Sequence, residues 1–101
     1  MLTDTALDKF RAFIRRNIYR ARYRVGSTWR EAAINKVEIQ SGGTVRAWLA
    51  ITPGGAATVN RVELLDPSGA TWAYQDVSIS VTAQQTGILY WFDFTIKEEV
   101  A

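Results

Sequence analysis

The segment ILYWFDFTIK, Ile88–Lys97, decides the fold class. Its apolar residues recur at every second position, with one side formed by Ile88, Tyr90, Phe92, Phe94 and Ile96. Successive side chains of a β-strand point to opposite faces of a sheet, so this pattern predicts a strand. Because one face is continuous and aromatic, we expect the strand to lie centrally in its sheet with that face in the core.

The same two-residue period recurs upstream, between turn signals. It predicts further strands at 18–25, 35–40, 44–52, 59–65, 71–76 and 77–81. Gly42-Gly43 predicts a tight hairpin turn, and Asp66–Gly69 is a type I turn sequence. Residues 27–33 show no clear period, and we expect irregular structure there. The whole pattern predicts a mainly β fold, a β-sandwich-like antiparallel domain of six to seven strands, with a barrel as the alternative.

One N-terminal α-helix is predicted ahead of the strands, at about residues 4–16. Its apolar side combines Leu7, Phe10, Phe13 and Ile14, which recur at helical spacing. Such a short helix is marginal alone in water, so we expect it to dock on the sheet. A membrane surface or a partner protein is the alternative. The chain is thus predicted to be a single domain, residues 1–101, with its β part at about 18–98.

Histidine and cysteine are both missing from the 101 residues. Their absence excludes disulfide frameworks, zinc fingers, thiol catalysis and hydrolases that use a histidine base. The adjacent carboxylates Glu98 and Glu99 follow the last predicted strand, where we expect neither the burial nor the close charge that a catalytic carboxylate needs. We therefore predict that the chain is not an enzyme and binds no cofactor or metal.

The sequence predicts neither a signal peptide nor a membrane-spanning segment. Met1 is followed by polar and acidic residues, so no signal peptide is predicted. The apolar runs are only a few residues long, so no membrane span is predicted either. We expect the chain to be made in the cytoplasm, from which it could still become part of a virion.

The net charge of +2 conceals an uneven distribution. Residues 1–30 hold eight basic and two acidic side chains, whereas residues 31–101 hold four basic and eight acidic ones. We expect the basic part to pair with the acidic remainder, within the domain or in a neighbouring subunit. A nucleic-acid patch is the alternative. The alternation of Tyr and Arg over residues 19–24 argues against it, since rings and guanidinium groups would take opposite faces of the strand.

Six side chains are candidates for an interface: Arg20, Arg22, Arg24, Trp29, Trp48 and Trp91. The arginines share one face of the first strand, and Trp48 and Trp91 take the polar sides of theirs. Exposed tryptophans anchor protein interfaces or stack on sugars and bases. The alternative is that a second layer covers these rings and that they belong to the core.

Two motifs carry a family resemblance. Leu2-Thr3 and Leu7 form the pattern L-T-x-x-x-L in the helix, and a hairpin pattern V-x-L-x-D-x-x-G-x-x-x-A is formed by Val62, Leu64, Asp66, Gly69 and Ala73. Together with the ending at 87–99, they resemble small prophage-encoded proteins associated with tail fibres or the baseplate. The resemblance implies a structural role in tail assembly, with no catalytic residues to carry over.

These observations lead to three functional hypotheses. The first is a non-enzymatic phage-related structural or assembly protein that acts through protein–protein contacts, with other tail proteins or further copies of itself as partners. The alternative is a carbohydrate-binding β-sandwich module that uses exposed tryptophans. The third is nucleic-acid binding through the N-terminal arginines.

Overall fold

The computed structural model describes residues 1–98. In this part of the chain one helix and six strands follow one another, in the order α1 (Asp4–Asn17), β1 (Arg20–Val25), β2 (Thr28–Ile39), β3 (Val45–Ile51), β4 (Ala57–Leu65), β5 (Thr71–Val81) and β6 (Ile88–Phe94). The strands form one nearly closed antiparallel sheet in the order β5-β4-β1-β2-β3-β6. The predicted mainly β fold with one N-terminal helix is confirmed.

The prediction of irregular structure at residues 27–33 is wrong. Residues 26 and 27 form a two-residue turn after β1, and β2 begins directly after it, with Trp29 opposite Arg24. β2 is 12 residues long; its first half pairs with β1 and its second half with β3. The register shifts at Asn35, between the two halves. Such an irregularity reverses the alternation of side chains, which hides the strand from a search for a constant period.

β5 and β6 form the two edges of the sheet. Residues 71–76 and 77–81, predicted as separate strands, belong to the single strand β5. β6 ends at Phe94, earlier than predicted, and β3 is its one partner among the described strands. The prediction that this strand lies centrally is therefore wrong. Its aromatic face does point towards the core, but it is only half-buried because no strand within residues 1–98 flanks its other side.

The hydrophobic core lies between the two halves of the curved sheet. Buried residues of β1, β2, β3 and β4 form one cluster, among them Tyr23, Leu49, Ile51, Val62 and Leu64. β3 and β4 are separated by two strands in the sheet, and the curvature of the nearly closed sheet allows their buried side chains to belong to one cluster. A register shift at Asn60, between β4 and both its neighbours, contributes to this bend. The packing of two inner faces is thus sandwich-like, within one sheet.

Both predicted turns are confirmed. The N–H of Gly43 donates to the carbonyl oxygen of Gln40 at 2.8 Å, and that of Gly69 donates to Asp66 at 2.9 Å. The Asp66 carboxylate accepts the hydroxyl of Ser68 and nearby backbone N–H groups, and these bonds lower its pKa. The turns fix the register of the hairpins that contain them.

α1 is held to the sheet by a few contacts. Thr3 caps its first turn by accepting a backbone N–H at 3.2 Å. Arg11 Nε donates to the carbonyl oxygen of Gly43, in the β2–β3 turn, at 2.9 Å. Phe13 packs edge-on against Trp72, with ring centroids 5.9 Å apart. No residue of α1 is buried, so the predicted docking of its apolar side is only partly realised.

Candidate interaction surface

The outer face of the sheet is rich in charged and aromatic side chains. Because neighbouring strands pair in register, these side chains form rows across the sheet. They fall into two groups, one on each side of the irregularity in β2. The Glu63 patch consists of Arg22, Arg24, Trp29, Glu31, Arg61, Glu63, Tyr74 and Asp76. The Trp48–Trp91 patch consists of Lys36, Glu38, Arg46, Trp48, Leu89, Trp91 and Asp93.

Glu63 is the centre of the first patch, with only 3% of its surface exposed. Its Oε1 lies 2.6 Å from Nη2 of Arg22, and its Oε2 lies 2.8 Å from Nε of Arg61. The hydroxyl of Thr71 adds a third contact at 3.3 Å. Arg61 also reaches Asp76, at 3.2 Å. One buried carboxylate therefore links β1, β4 and β5.

The two arginines determine the ionisation of Glu63. Burial by itself would raise the pKa of this carboxyl group, because the charged form loses hydration. The hydrogen bonds and charges of Arg22 and Arg61 outweigh that effect, and the net result is a lowered pKa. Glu63 is therefore ionised at neutral pH, where its single charge is shared by the two arginines.

Aromatic rings flank the arginines of the Glu63 patch. The guanidinium carbon of Arg61 lies 3.8 Å from the ring centroid of Tyr74. On the other side of the patch, Trp29 lies 4.1 Å from Arg22 and 5.3 Å from Arg24. The Tyr–Arg alternation separates rings from arginines only within β1. Neighbouring strands bring other rings to the same arginines, in cation–π contact.

A cross-strand tryptophan pair forms the centre of the second patch. Trp48 on β3 is directly opposite Trp91 on β6. The guanidinium carbon of Arg46 lies 5.5 Å from the Trp48 ring centroid and 5.3 Å from that of Trp91. Nζ of Lys36 lies 4.4 Å from the Trp48 ring. Arg46 donates two hydrogen bonds to Asp93, at 2.7 and 2.9 Å, which lower the pKa of that carboxyl group.

Three of the tryptophans lie outside the core. Trp91 is 49% exposed and Trp29 is 36% exposed, while Trp48 is half-buried on the outer face of β3. Leu89, on the same face of β6 as Trp91, is 53% exposed. The alternative that Trp29, Trp48 and Trp91 are core residues is therefore wrong.

The structure brings five of the six predicted interface residues into the two patches. Arg22, Arg24 and Trp29 meet in the Glu63 patch, and Trp48 meets Trp91 in the other. The sixth, Arg20, lies at the margin of the Glu63 patch. Its guanidinium carbon is 5.8 Å from the Tyr19 ring centroid, and it lines an open depression of about 200 Å³ with Arg22 and Trp29.

α1 presents a separate apolar surface that the sheet leaves largely uncovered. Phe10 and Phe13 are 51% and 47% exposed and line an open groove of about 510 Å³. Lys9 and Arg16 flank this groove, and neither forms an ion pair with a carboxylate of residues 1–98. The expected pairing of the basic N-terminal part with acidic residues is realised by Arg22 on β1 and not by these two helix cations.

No family model, curated protein or solved structure matches this chain. Among residues 1–98 there is no group of three or more acidic, histidine or cysteine side chains that could hold a metal ion. Over the same residues, no helix is long and apolar enough to cross a membrane. Glu99, of the carboxylate pair noted in the sequence, lies outside the described residues.

The sequence pattern does not single out the residues that complete both patches, chiefly Glu63, Arg61 and Tyr74 in one and Arg46 and Lys36 in the other. Their outward direction follows from the alternation within each strand. What the alternation does not reveal is which strands are neighbours. Arg22 and Glu63 are 41 positions apart and meet because β1 pairs with β4.

Proposed function

We propose that this chain is a non-enzymatic structural or assembly protein that acts through protein–protein contacts of the outer sheet face. The observation that carries this proposal is a surface rich in Trp, Tyr and Arg whose charges are balanced. Three arginines lie among three carboxylates in the Glu63 patch, and two cations lie with two carboxylates in the Trp48–Trp91 patch. Trp, Tyr and Arg are the residues enriched at the centres of protein interfaces.

The charge balance favours a protein partner over a nucleic acid. Nucleic-acid affinity comes largely from cations that displace counterions at phosphates, so it needs uncompensated positive charge. Arg22 and Arg61 instead share Glu63, and Arg46 is held by Asp93. A phosphate would have to compete with these carboxylates for the same donors.

The ionisation of the carboxyl groups also supports a binding role. The pKa values of Glu63, Asp66 and Asp93 are all lowered, because hydrogen-bond donors stabilise their charged forms. A general acid or base works best when its pKa lies near the working pH. These three groups are shifted away from that range.

A phage tail or baseplate is the proposed setting. Support comes from the resemblance of the L-T-x-x-x-L helix and of the hairpin around Asp66. Mass spectrometry of particles purified from a host that carries the prophage tests this setting directly. We expect the chain in a constant ratio to the tail proteins. Recovery of the chain only in the particle-free fraction would reject the proposal.

A variant pair links the particle experiment to the outer face. Trp91→Ser removes an exposed ring from the Trp48–Trp91 patch, and we expect much less of this variant in particles. Tyr19→Ser is the matched control, because Tyr19 is a similarly exposed ring, at 57% against 49% for Trp91, and lies outside both patches. Circular dichroism of both variants checks that the fold is retained. Equal amounts of the two variants in particles would show that the Trp48–Trp91 patch is not needed for incorporation.

A carbohydrate-binding module is the second candidate, and the Trp48–Trp91 pair favours it. Two neighbouring rings on an open sheet face can stack on sugar rings. Arg46 already contacts both rings, so a sugar would compete with its guanidinium group. Quenching of tryptophan fluorescence by a panel of polysaccharides, compared between the parent and Arg46→Ala, measures this competition. If no polysaccharide changes the tryptophan fluorescence, the carbohydrate-binding function is rejected.

A further inference from the structure

β6 has a free edge but the composition of a core strand. Its seven residues, ILYWFDF, include one charge and neither proline nor lysine. No described strand pairs with its outer edge, which leaves a row of backbone groups available for pairing. Edge strands usually carry prolines, lysines or bulges that prevent pairing with another chain. Apart from Asp93, β6 has none of these protective features.

Both faces of β6 are incompletely covered. On the outer face, Leu89 and Trp91 are about half exposed. On the inner face, Tyr90, Phe92 and Phe94 pack against the core but stay only half-buried. A further strand beside β6 would cover both sets at once, because directly opposed side chains of paired strands lie about 5 Å apart.

We propose that a second copy of this chain supplies that strand, by antiparallel pairing of the two β6 strands. The inference rests on the proposed function and names its partner and surface. A two-fold axis at Trp91, the middle residue of β6, places Trp91 opposite Trp91 of the second copy. The same register places Tyr90 opposite Phe92 and Leu89 opposite Asp93. The two sheets then form one continuous sheet across the dimer.

The distribution of charge favours β6 over the other edge of the sheet. The middle residue of the eleven-residue strand β5 is Asp76. Symmetric pairing of two β5 strands would place these like charges directly opposite each other, which is destabilising. In β6 the middle residue is apolar, and Asp93 falls opposite Leu89. The charge of Asp93 is already neutralised by its two hydrogen bonds from Arg46.

The tryptophan pair strengthens the same register. Trp48 is opposite Trp91 within one copy, so the axis at Trp91 creates a row of four tryptophan rings across the dimer. Cross-strand aromatic pairs stabilise antiparallel sheets. Rings at the centre of an interface commonly contribute most of its affinity.

Sedimentation equilibrium of the full chain over a wide concentration range tests for the dimer. We expect a concentration-dependent dimer mass, and a dissociation constant at least about tenfold higher for Trp91→Ser. Tyr19→Ser, which changes an exposed ring outside the patches, should leave the dissociation constant unchanged. A monomer mass at all concentrations would overturn the inference.

Disulfide trapping tests the register, because the chain contains no cysteine of its own. An oxidised mixture of the Leu89→Cys and Asp93→Cys variants should give a covalent dimer, since these positions oppose each other across the axis. Each variant alone should cross-link much less, and so should a mixture of Tyr19→Cys with Asp93→Cys. A dimer that yields no 89–93 cross-link would place the interface elsewhere and overturn the proposal.

The two proposals fail in distinguishable ways. A chain that is monomeric but present in purified particles overturns β6 pairing and leaves the structural role intact. A chain that dimerises through β6 but is absent from particles overturns the tail setting and leaves the pairing intact.

Discussion

β4 and β6 are both strongly apolar strands, but their surroundings differ. The inner face of β4 is completely buried through Val59, Val62 and Leu64. The inner face of β6 carries larger rings and is only half-buried, at Tyr90, Phe92 and Phe94. β4 lies between β1 and β5, whereas β6 has β3 as its one neighbour in the part of the chain that the structure describes. Burial in this molecule therefore follows the number of neighbouring strands more closely than the apolar content of the strand itself.

The largest expected difference between these strands comes from a pair of leucine variants. Leu64→Ala in β4 should lower the free energy of unfolding by about 3 kcal/mol, because it opens a cavity in a fully buried site. Leu89→Ala in β6 should cost less than about 0.5 kcal/mol, because Leu89 is half exposed. Urea unfolding at low protein concentration measures both. Equal losses would show that β6 is packed as tightly as β4.

Replacing the carboxylates of β4 and β6 should give a smaller difference in the free energy of unfolding. Glu63→Ala should cost about 2–3 kcal/mol, because it leaves Arg22 and Arg61 without their shared, buried partner. Asp93→Ala should cost much less, because the Asp93–Arg46 pair is partly exposed and water replaces the lost contact. The same urea experiment compares them. A larger loss of stability for Asp93→Ala would show that the Asp93–Arg46 pair at the sheet edge contributes more than the buried Glu63 pairs.

The pH dependence of stability should reflect Glu63. Its pKa is lowered in the folded state, so its contribution is present above the unfolded value of about 4.3. That contribution is lost as the pH falls through the folded-state pKa. Glu63→Gln should therefore flatten the loss of stability below about pH 4.5. Asp93→Asn is the matched variant on β6 and should change the fall in stability at acid pH less. If Glu63→Gln loses stability at acid pH as steeply as the parent, Glu63 is not the group responsible.

The smallest expected effect belongs to the exposed tryptophan of β6. Trp91→Phe keeps an aromatic ring at a half-exposed position and should change the free energy of unfolding by less than about 0.5 kcal/mol. Phe92→Leu, on the inner face of the same strand, should cost more, because that ring packs against the core. Thermal unfolding of dilute samples compares the two. A greater loss for Trp91→Phe would mean that the outer face of β6 contributes to the folding of a single copy.

Much of the fold could be predicted from local patterns. The helix, both turns and the outward direction of Trp48, Trp91 and the arginines of β1 follow from periodicity and turn chemistry. β2 could not be predicted fully, because its register shift at Asn35 interrupts the alternation. The edge position of β6 could not be predicted either, because strand order depends on distant pairings. For the same reason, Glu63 looks like an ordinary outward carboxylate until β1 is placed beside β4.

The strand order also has a consequence for how the molecule is made. β1 pairs with β4, and β3 pairs with β6. One edge of β1 and one edge of β3 therefore stay unpaired until a strand that leaves the ribosome much later has emerged. Sheets that depend on such distant pairs fold slowly. During synthesis, β3 exposes a strand edge flanked by Val45, Leu49 and Ile51 until Phe94 has emerged. The edge of β3 therefore stays open to wrong association until β6 appears.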